Sequence, residues 1–167
     1  MAFVPAITSR DEVASYINLR NDTEFLARIC IGHDDETNAI YSAFVSLCRQ
    51  SGHTERYEIR FDVIETSACE DEPDNWCNDG LQTKRFLAAD HRKTTLNCIC
   101  TVLQEMVEAS EAQELFMMTV TPHLPEKALA KYELICCALR AIGFHAGRDA
   151  PYHGTQIWIM KRISDGT

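Results

Sequence analysis

No run of apolar residues in this sequence approaches the ~18 that a membrane span requires. Met1 to Arg10 also lacks the charged stretch followed by an apolar core that directs export. The expectation is a cytoplasmic protein with no membrane anchor. Internal repeats, low-complexity tracts and linkers are absent too, which favours one domain over an array. Basic side chains are few: 16 Lys and Arg stand against 25 Asp and Glu, a formal net charge of -9 at pH 7. Such a surface repels phosphate backbones unless its cations are gathered on one face, so direct nucleic-acid binding is disfavoured. A protein partner with a basic surface suits the charge better. No serine or cysteine nucleophile motif is present, and no catalytic signature is complete.

The eight cysteines, at 30, 48, 69, 77, 98, 100, 136 and 137, follow no disulfide-framework spacing and lie mostly in apolar stretches. They read as reduced core thiols of a reducing compartment. Cys98 and Cys100 stand two apart on an expected helix and point to different sides, a poor metal clasp. Cys69 and Cys77 flank an acidic loop with a spacing that matches no zinc pattern, and whether they pair or bind metal stays open.

What is present suits a packed core. At 167 residues with 46% hydrophobic and 25% charged side chains, the chain matches an ordinary globular domain. The pattern predicts an α/β (α+β) fold with a single mixed sheet flanked by helices. Residues 1–52 are expected to be mostly helical, and 57–162 to form the sheet with two packed helices.

Ser9 and Glu12 make a capping box before Val13, Tyr16 and Ile17, which predicts a short helix to about Arg20. Phe25, Leu26, Ile29 and Ile31 fit helix or strand. Ile40, Tyr41, Phe44, Leu47 and Cys48 form a helical stripe, which predicts a helix between Asp35 and Gln50. Tyr57, Ile59, Phe61 and Val63 alternate with Glu58, Arg60 and Asp62, the period of a strand with one wet face. From Glu65 to Gly80 the pattern stops, six carboxylates meet no Lys or Arg between Arg60 and Lys84, and a solvated acidic loop is expected.

Thr83 to Ala89 fits a second strand. Asp90 to Lys93 then lead as a loop to Thr94 or Thr95, the cap of a helix reaching Ala109. Leu115 to Thr121 is apolar almost throughout, as in a central strand covered on both faces. Pro125 opens a last helix that carries Tyr132, Ile135 and Leu139 and stops at Gly143. A turn-rich loop through Gly147, Pro151 and Gly154 precedes a final strand, Thr155 to Arg162.

From the expected strand at 84, the order strand, basic loop, helix, buried strand, helix ending in Gly143 and Phe144, loop, strand resembles the acyl-CoA-binding half of the GNAT N-acetyltransferases. The resemblance covers residues 84–162. It implies acetyl-CoA as cofactor, with its pyrophosphate on a turn at a helix N-terminus, here Arg92, Lys93, Thr94, Thr95, Leu96 and Asn97. Thr95 and Asn97 stand where the family has glycine or alanine, so the phosphate turn is degenerate. The family often has a general-acid tyrosine four residues before the Gly-Phe pair; Leu139 is there, and Tyr132 lies about two turns earlier on the same helix.

Three further groups draw attention. Asp90 and His91 are adjacent but read as a polar loop. His123, His145 and His153, with Tyr152, share two loops and form a candidate cluster. Trp76 sits amid the acidic loop, either as an interface anchor or folded back as a staple. Two functions follow. The first is a non-catalytic acidic binding protein, a stoichiometric inhibitor or immunity-type protein needing no cofactor. It would act on a protein partner through Glu70, Asp71, Glu72, Asp74 and Trp76. The alternative is an acyl-CoA-dependent N-acyltransferase using Arg92, Lys93, Thr94 and Thr95.

Overall fold

The computed structural model describes residues 2–8 and 17–164. The capping box at Ser9 and the start of the helix expected after it lie outside the described residues. The described part of the N-terminal third is built of strands: β1 (Phe3–Pro5), β2 (Leu19–Arg20), β3 (Glu24–Asp34) and β4 (Ile40–Arg49). The expected helical character of 1–52 is therefore corrected, and so is the helix between Asp35 and Gln50. The reason is position. β4 lies inside the sheet with cover on both faces, so Tyr41, Ala43, Val45 and Leu47 are buried on one face while Ser42 and Ser46 are buried on the other. Apolar Phe44 and Cys48 on that second face break the period of two, and the apolar residues fall by coincidence on a helical stripe.

Next come β5 (Arg56–Thr66), β6 (Asn75–Cys77), the short α1 (Gly80–Thr83), α2 (Ala89–Ser110) and β7 (Glu114–Met118). A 3-10 turn (Glu126–Leu129) leads into α3 (Ala130–Arg140), and β8 (Phe144–Arg148) and β9 (Ile157–Arg162) close the chain. No strand forms at Thr83 to Ala89: Leu87 N–H bonds Thr83 C=O in a turn, and α2 starts at Ala89. The expected turn-rich loop contains β8, paired antiparallel with β9. Its apolar signal is one buried residue, Phe144, beside exposed edge positions.

Among the described residues one mixed sheet of nine strands runs β1-β3-β4-β5-β7-β9-β8, with β2 also on β3 and β6 also on β5. Every pairing is antiparallel except β5 with β7. The sheet is closed at β1 by a close approach: the space a Cβ would take at Gly32 is filled by the Phe3 ring and the Val4 carbonyl. That position coincides with a bulge in β3. The helices cover one face. α2 packs Ile99, Val102, Leu103 and Met106 against the inward side chains of β3 and β4, and α3 packs Ile135 and Leu139 toward β8 and β9. Strands at 57–64, 114–118 and 157–162 thus share one sheet under two helices, and β7 is internal to it.

The parallel pair sets up the site. β7 pairs with β5 only at Arg56, Tyr57 and Glu58, and β6 pairs with it only at Val63, Ile64 and Glu65. Between these ladders the β5 backbone from Arg60 to Asp62 faces no strand on that side among the described residues. The sheet is notched there.

Candidate functional site

Two cavities meet at this notch. Phe61 and Asp62 line both of them. The register places Glu24, Cys48 and Glu58 in one cross-strand row and Phe44 with Asp62 in another, all on the face away from α2. On that face lies a cleft of about 810 Å³, lined also by Trp76, Tyr132 and the chain after β7. Toward the helices a second cavity of about 330 Å³ is lined by Lys84, Arg92, Lys93, Lys127 and Lys131. In a chain of net charge -9, five cations around one cavity are a marked concentration.

α2 brings two of these cations. Its N-cap is Ala88, in extended conformation and with no side-chain cap. Arg92 Nη1 donates to the Leu87 carbonyl at 2.7 Å and braces the entry to the helix. Lys127 and Lys131 are four residues apart at the start of the α3 segment and therefore share a face.

The expected phosphate turn needs correction. Arg92, Lys93, Thr94 and Thr95 lie inside α2 and not ahead of it. Thr94 and Thr95 are not caps: their hydroxyls donate back to the Asp90 and His91 carbonyls at 3.1 and 2.8 Å. Arg92, Lys93 and Thr95 line the cation-rich cavity, while Thr94 lines a small hollow with Phe3 and His91. Asp90 and His91 belong to the first turn of α2, with the His91 ring 5.0 Å from that of Phe3.

The electrostatics of the notch are unusual. Burial pushes the Asp62 carboxyl up to about 6, against the pull of Lys131 and Arg60. Burial also lowers Lys131, although Asp62 and Asp79 oppose it. The Lys131 ammonium donates to the Asn78 carbonyl at 3.4 Å and lies over the Phe61 and Tyr132 rings at 5.5 and 5.3 Å. Tyr132 stacks on Trp158 at 4.4 Å, and burial with the nearby Asp62 charge pushes its phenol up to about 12. Its proton is therefore retained at neutral pH.

Comparison of the chain with family models, with curated proteins and with solved structures finds no match. The site is therefore read from its own geometry.

The acidic segment is less free than its sequence suggests. β6 is hydrogen-bonded to β5. Asp74 accepts from Thr66 Oγ1 at 2.6 Å and pairs with Arg28 Nη1 at 3.0 Å, and these two contacts hold its carboxyl below the usual range. Arg28 comes from β3, so the charge partner missing between Arg60 and Lys84 arrives from another strand. Glu70, Asp71 and Glu72 remain exposed. Trp76 meets Phe44 edge-on at 5.0 Å, stays 43% exposed and lines the large cleft.

The histidines do not gather at either cavity. The space a Cβ would take at Gly154 is filled by the His123 ring, His153 packs edge-on with Tyr152, and His145 is exposed on β8. Among the described residues no disulfide is present and no group of three His, Cys, Asp or Glu could hold a metal. No helix among them is long and apolar enough to cross a membrane. The residues that sequence reasoning passed over are Asp62, read as a wet-face position, Lys84, Lys127, Lys131 and Glu24. Only the i, i+4 spacing of Lys127, in the 3-10 turn, and Lys131, in the first turn of α3, gave a signal.

Proposed function

We propose that the protein is an acyl-CoA-dependent N-acyltransferase, the activity that its resemblance to the GNAT N-acetyltransferases implies. The observation that carries this reading is the notch between the parallel strands β5 and β7. There a cavity lined by cations of α2 and of the segment before α3 and a carboxylate-bearing cleft share Asp62. The element order β5, α2, β7, α3, β8, β9 also supports it.

The residues present fit an acyl-CoA in charge. Arg92, Lys93, Lys84 and Lys127 would hold the phosphates. They do so without a glycine turn, since Thr95 folds its hydroxyl back onto the helix and leaves the cavity to the longer cationic side chains. An acyl-CoA supplies an acyl group already activated as a thioester. This chain's part is proton handling and positioning. An acceptor amine arrives as an ammonium and must lose a proton to become a nucleophile. Asp62, ionised above about pH 6, sits where it can accept that proton. Tyr132 keeps its phenolic proton at neutral pH and can give it to a departing thiolate.

The test is a titration of the purified protein with acetyl-CoA, followed by thiol release in the presence of amines. Saturable binding and amine-dependent thiol release support the reading, and absence of acetyl-CoA binding overturns it. A second reading keeps one supporting observation. The exposed Glu70, Asp71 and Glu72, beside the half-exposed Trp76, suit a stoichiometric contact with a basic protein. The neutralisation of Asp74 by Arg28 weakens it.

A further inference from the structure

The chemistry of the acceptor is written in the large cleft. Its volume of about 810 Å³ falls in the range of roughly 300–1,000 Å³ typical of small-molecule sites. Three carboxylates line it, but they are not equivalent. Glu58 is held by Arg60 at 3.0 Å. Glu24 accepts only from the Cys48 thiol at 3.7 Å, and among the described residues neither Glu24 nor Asp62 is in an ion pair.

Glu24 and Asp62 are also far apart. The register sets Glu24 opposite Cys48 and Cys48 opposite Glu58, with Asp62 four residues further along β5. With strands about 4.8 Å apart and about 3.4 Å per residue, the two Cα positions are separated by on the order of 15 Å. One ammonium cannot serve both carboxylates. Phe44 stands opposite Asp62 with Trp76 against its ring, faces suited to methylenes and to cations, and the row between the two carboxylates carries Ser46 and Arg60, whose guanidinium is turned onto Glu58.

We propose that the acceptor is a small linear polyamine, with its reacting primary amine at Asp62 and a second cationic nitrogen at Glu24, a substrate class that rests on the acyltransferase reading above. In the transfer the substrate ammonium gives one proton to Asp62, and the free amine nitrogen then gains the acyl carbon and sheds a second proton, which offsets the one the departing thiolate takes up. The carbon–sulfur bond of the thioester breaks, and the thiol is released after taking up one proton. Arg60 stays on Glu58 and leaves the two outer carboxylates to the substrate.

The probes are spermidine and butylamine, titrated by calorimetry into the wild-type protein and into Glu24→Gln, with acetyl-CoA titrated into both. Spermidine is expected to bind the wild type at least about tenfold more tightly than butylamine. Glu24→Gln should bring that ratio close to one while leaving acetyl-CoA affinity in place, which also shows that the variant is folded. Equal affinities for the two amines, or a ratio untouched by Glu24→Gln, would overturn the inference. Acetyl-CoA binding with no preference for spermidine sinks the substrate class alone. Spermidine binding with no acetyl-CoA binding sinks the acyltransferase reading and leaves a polyamine site.

Discussion

The two cavities at the notch differ in sign and in origin. The smaller is cationic, and its charges come from helices and the turn before α2: Lys84, Arg92, Lys93, Lys127 and Lys131. The larger is acidic and aromatic, and its side chains come mostly from strands: Glu24 on β3, Phe44 on β4, Glu58 and Asp62 on β5, Trp76 on β6. A sheet normally separates its two faces completely. Here an incomplete ladder on β5 lets Phe61 and Asp62 border both, and burial raises the Asp62 carboxyl. Opposite charges on two sides of a gap favour two different ligands meeting there, an anion from the helix side and a cation from the other.

The sharpest way to break the comparison is to remove the shared residue. Asp62→Asn is expected to lower amine acylation by about 10²- to 10⁴-fold, the usual weight of a general base. In the wild type the rate should fall below about pH 6 as Asp62 takes up its proton, and that acid limb should be missing from the variant. Steady-state rates from pH 5 to 8 check both. A variant as active as the wild type would mean that the two cavities do not communicate through Asp62.

A smaller effect separates the cavities from each other. Arg92→Ala with Lys93→Ala should weaken acetyl-CoA by about 10- to 100-fold, through charge-assisted hydrogen bonds worth about 1.5–3 kcal/mol. The loss should be greatest at low salt. Spermidine affinity should stay unchanged. Trp76→Ala should do the reverse, costing a few-fold in spermidine affinity through a lost cation–π face worth about 0.5–1 kcal/mol, with acetyl-CoA unaffected. Calorimetry on the same two ligands reads all four outcomes, and crossed effects would merge the two cavities into one site.

Much of the second half was legible and much of the first was not, for a physical reason. β5 has one wet face and alternates cleanly, and α2 and α3 carry full apolar stripes. β3 buries one face, but apolar Leu26 and Cys30 on its outer face blurred the alternation, and on β4 apolar Phe44 and Cys48 did the same between Ser42 and Ser46. The enrichment of Ile, Tyr, Phe and Val in β4 was the remaining clue. The site was harder still. Arg92 and Lys93 were visible as a basic pair, but their setting inside α2 depended on where the helix begins, and an alanine cap gives no sequence signal. Asp62 looked like any outward strand residue, because the groups around it, such as Phe44, Trp76 and Lys131, come from segments distant in sequence. Arg28 reaching Asp74 is likewise a contact 46 residues apart, which changes the reading of the acidic loop and leaves no local trace.

The smallest effect is on stability, and its sign tests the origin of the Asp62 shift. The carboxyl rises from an ordinary 3.8 to about 6 in the folded chain, so the folded state binds this proton more tightly than the unfolded one. Its contribution to stability is then full below about pH 4 and is lost as the pH rises through about 6. At pH 7 the half-buried carboxylate is a cost that Asn, of the same shape and without charge, does not carry. Asp62→Asn should therefore be more stable than the wild type at pH 7 by about 1 kcal/mol, a value reduced for the solvent that still reaches the group. At pH 4 the two should unfold alike. For a chain of this length about 1 kcal/mol corresponds to roughly 2–4 °C in Tm, and comparing the two proteins at both pH values cancels the titration of the other groups. A variant less stable than the wild type at pH 7 would reverse the argument. Lys131 would then be holding Asp62 as an ion pair strong enough to outweigh burial, its carboxyl would lie below the usual range, and the notch would contain a structural salt bridge in place of a base.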